Sequence, residues 1–452
     1  MQVQSAQQLQ FQNFVDRDVI VKQANVEITS DAGLLPIREF DRKWRLTERM
    51  IECLVDERTR CDHSIDEMLR QRLFGILADY EDCNDHDDLR ADPLFKIIAG
   101  RCPDDEPLAS QPTLSRFENS IKPLMLEGLR TLLVTSGLER LRMNNGNELP
   151  ATVTFDIDPT DVATHGQQQL TMFHGYYDQH QYFPQIITEP TTQHAFFAQL
   201  RYGAMHPARG ADECLQLVTD PIREERPDID IHVRADSGHA SPVLYEFLEN
   251  RGFSYVIGLQ GNPVLYRKAA ELMQQAVKSF AETNEKQRLF CVFSYRAGTW
   301  SKTRTVIAKV EVSSHGTNQR FVVTNQWVGS ALHAEQRYDE YVQRGTSEQR
   351  NDELKNGLSM DRLSCHRFMA NFWRLLLHVH AYNLLNALRD SADVPSDLRT
   401  AQPAKWCSRL IKVAARVTQS TRRIVLEVSS SWPHWEKLTA VSTRALQAFE
   451  FS

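Results

Sequence analysis

A chain of 452 residues with 41% hydrophobic and 25% charged content has the composition of a globular protein and material for two or three domains, which excludes a single small module. No stretch has the length and apolarity of a membrane span, and the opening "MQVQSAQQLQFQNF" lacks the basic-then-apolar layout of a signal peptide, so a cytosolic protein is expected. The net charge of −7 argues mildly against a nucleic-acid partner on average, because duplex binding rests on phosphate neutralisation by Lys and Arg, but averages hide patches.

From about residue 39 to 145 the apolar spacing is helical. "HSIDEMLRQRLFGILADY" sets Ile65, Met68, Leu69, Leu73, Ile76 and Leu77 on one stripe, behind a Ser64 or Asp62 cap, with Glu67 completing a capping box to Ser64. The next stretch, "DYEDCNDHDDLRADP", is strongly acidic. "LASQPTLSRFENSI" offers Ser110 as a cap and Pro112 as an early helical residue, with Thr113, Ser115 and Arg116 placed outward; a DNA-reading helix and an ordinary capped helix both look like this. At residue 150 the period changes. "ATVTFDID" alternates Val153, Phe155 and Ile157 with Thr154, Asp156 and Asp158, the pattern of a half-buried strand. "MFHGYYDQHQYFPQIITEP" reads as a hairpin of two further strands, and "DIHVRADSGHASPVLYEFLENRGFSYVIGL" as strand, turn, helix and strand, giving an α/β core. Residues 288–327 are strand-like, and the chain from 331 onward is helical in pattern. The basic run "KWCSRLIKVAARVTQSTRR" holds Lys405, Arg409, Lys412, Arg416, Arg422 and Arg423 without an acid; Leu410, Ile411, Val413 and Val417 beside them read as a helix stripe. The eight cysteines form no CxxC pair and are expected reduced and mostly buried. His165, His174, His180, His194 and His232 lack zinc-ligand spacing, His378 and His380 sit in an apolar helix, and "GLQGNPVL" lacks the lysine and spacing of a P-loop, so no nucleotide cofactor is assigned.

The chemistry concentrates in "YVQRGTSEQRNDELK". At about 100° per residue, Arg344, Glu348 and Lys355 fall roughly 60°, 20° and 40° from Tyr341, on one narrow helix face. Asp158 and Asp236 sit at predicted strand ends beside turns, where α/β sheets gather functional groups. With Glu348 they form a set of hard oxygen ligands suited to Mg²⁺ or Mn²⁺, and two such ions serve an in-line phosphoryl transfer. Asp156, two residues back on the same strand face, and Asp352, one turn along the helix, can reach the same place.

In these residues the chain resembles the DDE transposases of bacterial insertion sequences, in the group whose last catalytic helix carries Y-x₂-R-x₃-E-x₆-K. Tyr341, Arg344, Glu348 and Lys355 match that signature, Asp158 matches the first family aspartate in "DPT", and Asp236 the second in "ADSGHA". The match favours Asp158 over Asp156, and Glu348 over Asp352. The resemblance implies an RNase H-like catalytic core interrupted by a β-rich insertion. It also implies Mg²⁺ or Mn²⁺ dependence, and cut-and-paste movement through binding of terminal inverted repeats by a homodimer, in a bacterial, nucleoid-associated setting. On that frame residues 1–148 are a helical DNA-binding region, 149–270 and 331–390 the two parts of the core, 271–330 the insertion, and 391–452 a basic helical tail. Arg344, Lys355 and Tyr341 are expected to hold DNA phosphates or sugars, and Arg409, Lys412, Arg416, Arg422 and Arg423 to contact the duplex backbone. Trp300 and Trp327, in the expected insertion, are candidates to stack on an unpaired base or else to cover the sheet. The rival readings are a same-fold nuclease that does not join strands, a non-catalytic domesticated DNA-binding protein, and a structural helical bundle.

Overall fold

The computed structural model describes residues 8–391 and 393–447. A hairpin of β1 (Gln8–Phe14) and β2 (Arg17–Lys22) opens it, with β2 exposed along its length, so the expected helical region begins with strands. After β3 (Glu27–Thr29) come α1 (Leu34–Trp44), α2 (Leu46–Glu52), α3 (Ile65–Leu77), α4 (His86–Leu89), α5 (Pro93–Ala99), α6 (Gln111–Ser120) and α7 (Pro123–Met143). Local chemistry sets several starts. At α3 the Glu67 N–H donates to Ser64 Oγ at 3.2 Å and the Ser64 N–H to the Glu67 carboxylate at 3.1 Å, the reciprocal box spelled in the sequence. Asp92 caps α5, with Pro93 in its first turn. Ser110 stands at the start of α6, but its hydroxyl meets Thr113 Oγ1 instead of a backbone N–H.

The α/β part runs β4 (Thr152–Pro159), β5 (Val162–Ala163), β6 (Met172–His174), β7 (Gln179–Tyr182), β8 (Gln185–Glu189), β9 (His194–Gln199), α8 (Ala211–Glu225), β10 (Asp230–Ala235), α9 (Pro242–Asn250) and β11 (Ser254–Leu259). Then follow α10 (Pro263–Lys268), α11 (Ala270–Thr283), β12 (Gln287–Tyr295), β13 (Arg304–Ser313), β14 (Gly316–Thr324), α12 (Ala331–Gln343) and α13 (Gly345–Leu358). One eight-stranded sheet has the order β12-β13-β14-β11-β10-β4-β8-β9. β4, β10 and β11 are parallel, and β8, β9 and β12 to β14 are joined antiparallel. The stretch expected as one hairpin divides: β6 and β7 join β5 in a small separate sheet, while β8 pairs with β4. Strands do form between 287 and 324, but α11 precedes them, and they extend the main sheet through the β14 to β11 pairing.

α14 (Phe368–Arg389) is the spine, buried from Ala370 to Arg389. A helix buried all round reads as continuously apolar, and its polar residues are spent on internal bonds. Asn383 accepts from the Ala195 N–H and donates to the Ala195 carbonyl, both at 2.9 Å, which satisfies the open edge of β9. His380 Nε2 meets the Leu129 carbonyl at 3.2 Å, and His378 Nδ1 the Arg374 carbonyl at 2.7 Å.

The C-terminal region departs from the expected helical tail. Short α15 (Ser396–Arg399) and α16 (Pro403–Trp406) lead to β15 (Ala415–Ser420) and β16 (Arg423–Val428), a hairpin that pairs with β3, before α17 (Trp435–Gln447). Val413, Ala415 and Val417 are buried while Arg416 is exposed. That is a period of two, which a stripe drawn through Leu410, Ile411, Val413 and Val417 conceals. All eight cysteines are free, yet only Cys83, Cys214 and Cys407 are buried, and Cys61 and Cys102 are exposed.

Candidate active site

Asp158 ends β4 and Asp236 follows β10, on neighbouring parallel strands registered Ala235 to Ile157. The two carboxylates therefore leave the sheet side by side. α13 crosses β4 and brings Glu348 in its first turn. Asp158, Asp236, Glu348, Tyr341, Arg344 and Lys355 all line one cleft of about 960 Å³. α12 and α13 meet at Arg344, whose backbone stays helical, with the weak helix former Gly345 next. The face read from the sequence survives that junction.

The contacts sort the acids. Asp156 is held by Arg234 through two hydrogen bonds of 2.6 and 2.7 Å, with both side chains buried. Arg234 also donates to the Glu340 carbonyl and the Gln343 amide oxygen, both at 3.2 Å, so it ties β4 and β10 to the end of α12. Asp156 is thus engaged within the sheet, and Asp158 is the strand acid that lines the cleft. Its Oδ2 accepts from Ser347 at 3.3 Å and Asn351 at 3.2 Å, and Arg344 stands 3.7 Å from Oδ1. Burial pushes Asp158 up to about 7; Arg344 opposes the shift, and Asp236 and Glu348 add to it. Asp236 differs. Against the upward pull of burial, the His239 hydrogen bond holds it below the ordinary carboxylate range.

Glu348 is 64% exposed and takes Arg344 Nη2 at 2.7 Å. Lys355 donates to Asp161 at 3.0 Å, and Asp161 also accepts from Gln179 of β7 at 3.0 Å. Arg344 lies 5.7 Å from the Tyr341 ring centroid. A Cβ on Gly258 would come within 2.8 Å of both the Tyr341 hydroxyl and the Ser237 nitrogen, so glycine here permits the close approach that sets the cleft floor.

The donor set fits a divalent cation. Three carboxylates share one arginine in the cleft, and the most buried is raised toward neutrality chiefly by burial, with Asp236 and Glu348 adding negative charge that an ion would offset. Their oxygens are not drawn together. Among the described residues, the trio of His, Cys, Asp or Glu ligand atoms within 4.8 Å of one another is Cys102, Asp104 and Asp105. That exposed set is a turn in which Asp105 accepts the Cys102 N–H and Asp104 binds Gln419.

The other expected DNA contacts lie elsewhere. Trp300 is 4% exposed, packed on Tyr245 and Tyr295 with Arg304 over its ring, and is a core residue. Trp327 is 73% exposed, but the β11 to β14 register pairs Val256 with Thr324 and Leu259 with Phe321. It therefore leaves the sheet at the end opposite the carboxylates, as does the Trp300 loop between Tyr295 and Arg304. Lys412 is engaged by the buried Asp31 at 2.9 Å and lies over the Tyr80 ring. Arg409, Arg416, Arg422 and Arg423 are exposed, and none of them lines the cleft. Missed in the sequence were Ser347 and Asn351, which bond Asp158, Arg320 on the cleft wall, and His239 behind Asp236. Polar residues flanking Glu348 on a charged helix look like solvent contacts until tertiary structure buries them.

The family described as "Transposase DDE domain group 1" matches residues 11–449. No curated protein matches the chain.

Proposed function

The chain belongs to the DDE transposases, enzymes of DNA transposition and recombination whose phosphoryl transfer uses divalent metals, and from that premise we propose that it cuts and joins DNA at the ends of its own element. The observation that carries the reading is the convergence of Asp158, Asp236 and Glu348 with Arg344, Lys355 and Tyr341 on a single cleft. Strand order supports an RNase H-like core, since the run β9-β8-β4-β10-β11 places the chain's third, second, first, fourth and fifth main strands in sequence, with the acids at the ends of the first and fourth.

In this reading Asp158, Asp236 and Glu348 hold Mg²⁺ or Mn²⁺. When bound, the metal supplies Lewis acidity and neutralises charge developing on the phosphate. Arg344 presents a planar fork to a phosphate oxygen, which suits a two-pronged contact, and Lys355 supplies a point charge about two helical turns beyond Glu348. Ser347 and Asn351 fix the Asp158 oxygen that does not face Arg344. Tyr341, held by Gly258 and Arg344, walls the cleft for a sugar or base. The substrate is double-stranded DNA bearing terminal inverted repeats. Because two ends must be joined, two copies of the chain act together. Residues 1–148 and the basic C-terminal hairpin are assigned to the DNA outside the cleft.

The test uses a plasmid carrying the inverted repeats that flank the gene, and short duplexes with pre-cut ends. Mg²⁺-dependent cleavage at the repeats together with joining of the pre-cut ends is expected. Cleavage without joining favours a nuclease, and end binding without cleavage favours a non-catalytic DNA-binding protein.

A further inference from the structure

Asp158 and Asp236 leave adjacent strands side by side, yet they are held by different means. Around Asp236 the chain folds into a short 3₁₀ turn, Ser237–His239, and two donors converge on the same oxygen: Gly238 N–H at 3.1 Å and His239 Nδ1 at 2.7 Å. The His239 side chain is fully buried, whereas that of Asp236 is 35% exposed toward the cleft. An ionised carboxylate only accepts, so the Nδ1 of His239 carries the proton and its Nε2 is bare. Gln185 Nε2 stands 3.0 Å from that bare nitrogen, and Gln185 is the residue of β8 registered opposite Pro159, next to Asp158. A relay thus runs from the strand beside β4, through a buried imidazole, to one oxygen of Asp236.

We infer that His239 is a positioning residue for metal binding: it and Gly238 N–H saturate Asp236 Oδ1, turning Oδ2 to the cleft, while Gln185 fixes the imidazole tautomer. The inference rests on the proposed metal role of Asp158, Asp236 and Glu348. Hydrogen bonds from buried partners orient metal-ligating groups, and their loss lowers metal affinity by about 10–100-fold. Asp158 is held differently, by Ser347 and Asn351 of α13, the helix that also carries Glu348.

The test is Mn²⁺ binding to the full chain without DNA, followed by the electron paramagnetic resonance of free Mn²⁺, with thermal unfolding of each variant alongside. Three substitutions separate the roles: His239→Phe keeps bulk without a donor, His239→Gln keeps an amide but withdraws it from Asp236, and His239→Asn keeps an amide at the Nδ1 position. Folded H239F or H239Q should bind Mn²⁺ about 10–100-fold more weakly, with H239N within about threefold of the wild type. If H239F does not fold, the H239Q and H239N pair decides. Loss of melting temperature with Mn²⁺ affinity unchanged in folded H239Q would overturn the relay. A control distinguishes that failure from failure of the site itself: Mn²⁺ binding that D158N leaves intact overturns the metal reading, and the relay with it.

Discussion

Two ion clusters of opposite net charge, one buried among helices and one lining the cleft, differ in how completely their charges are met. In the helical part, Glu118 of α6 lies between Arg72 of α3 and Arg374 of α14, at 2.9 and 2.8 Å, all three essentially inaccessible to water. Every guanidinium nitrogen there has a partner. Arg72 also meets His86 and the Glu81 carbonyl, and Arg374 meets Ser364 and Cys83. Glu118 stays below the ordinary carboxylate range because the two arginines outweigh its burial. The cleft does the reverse. Arg344 leaves its Nε buried without a partner among the described residues, stands 3.7 Å from Asp158 and is shared with Glu348, while Asp158 is pushed up to about 7. A finished cluster holds helices together, whereas an unfinished one keeps charge in reserve for a ligand.

The largest expected effects come from removing the acids on each side. Asp158→Asn, Asp236→Asn and Glu348→Gln should each reduce end cleavage by on the order of a thousandfold or more while leaving end binding nearly intact. Gel-shift and cleavage assays on the same preparations check this, and parallel loss of binding would blur the contrast with Glu118. Glu118→Ala should destabilise the fold by about 3–5 kcal/mol, because two buried arginines lose their counter-charge. Chemical denaturation measures it, and a loss under about 1 kcal/mol would mean the triad is not the finished cluster its geometry describes.

The pH dependence sharpens the same difference. Asp158 has a folded pKa of about 7 against an ordinary 3.8, so the folded chain keeps a proton that the unfolded chain gives up. Its contribution to stability is full below about pH 4, is lost progressively as pH rises to about 7, and amounts to a few kcal/mol by the linkage relation. Metal-free D158N should therefore melt higher than the wild type at pH 8, and that advantage should vanish near pH 4. An inactive variant that is more stable is the signature of a strained functional acid.

Much of this was legible in local patterns. The Ser64 and Glu67 box, the strand alternation ending in Asp158 and the helix face of Tyr341, Arg344, Glu348 and Lys355 depend on residues near one another in the chain. What escaped depends on distant partners. Asp156 and Asp158 are equivalent in "FDID" until Arg234, on another strand, takes the first. Trp300 and Trp327 are the same residue type in neighbouring loops, and only the sheet register shows that both lie away from the cleft. The basic run reads as one helix because Leu410 and Ile411, which do lie in a helical turn, carry the stripe on to Val413 and Val417, and pairing with β3, almost 400 residues earlier, makes the later part a strand.

The smallest effect concerns charges in neither cluster. Arg422 and Arg423 sit exposed at the turn of the β15–β16 hairpin, and Lys412, which the sequence groups with them, is drawn inward to Asp31. Replacing Arg422 and Arg423 together with Gln should leave thermal stability within about 0.5 kcal/mol, as for surface residues away from special features. Their energy, if spent on DNA, is counterion release, which depends on charge and not on base sequence. The double variant should then bind end and non-end duplexes more weakly by similar factors, and flatten the log–log salt dependence by about one to two units. Lys412→Gln should do the opposite, costing stability through the stranded Asp31 while hardly moving the slope. An unchanged slope in the double variant would remove the hairpin from the DNA interface and leave the cleft cations, Arg344 and Lys355, as the contacts to test next.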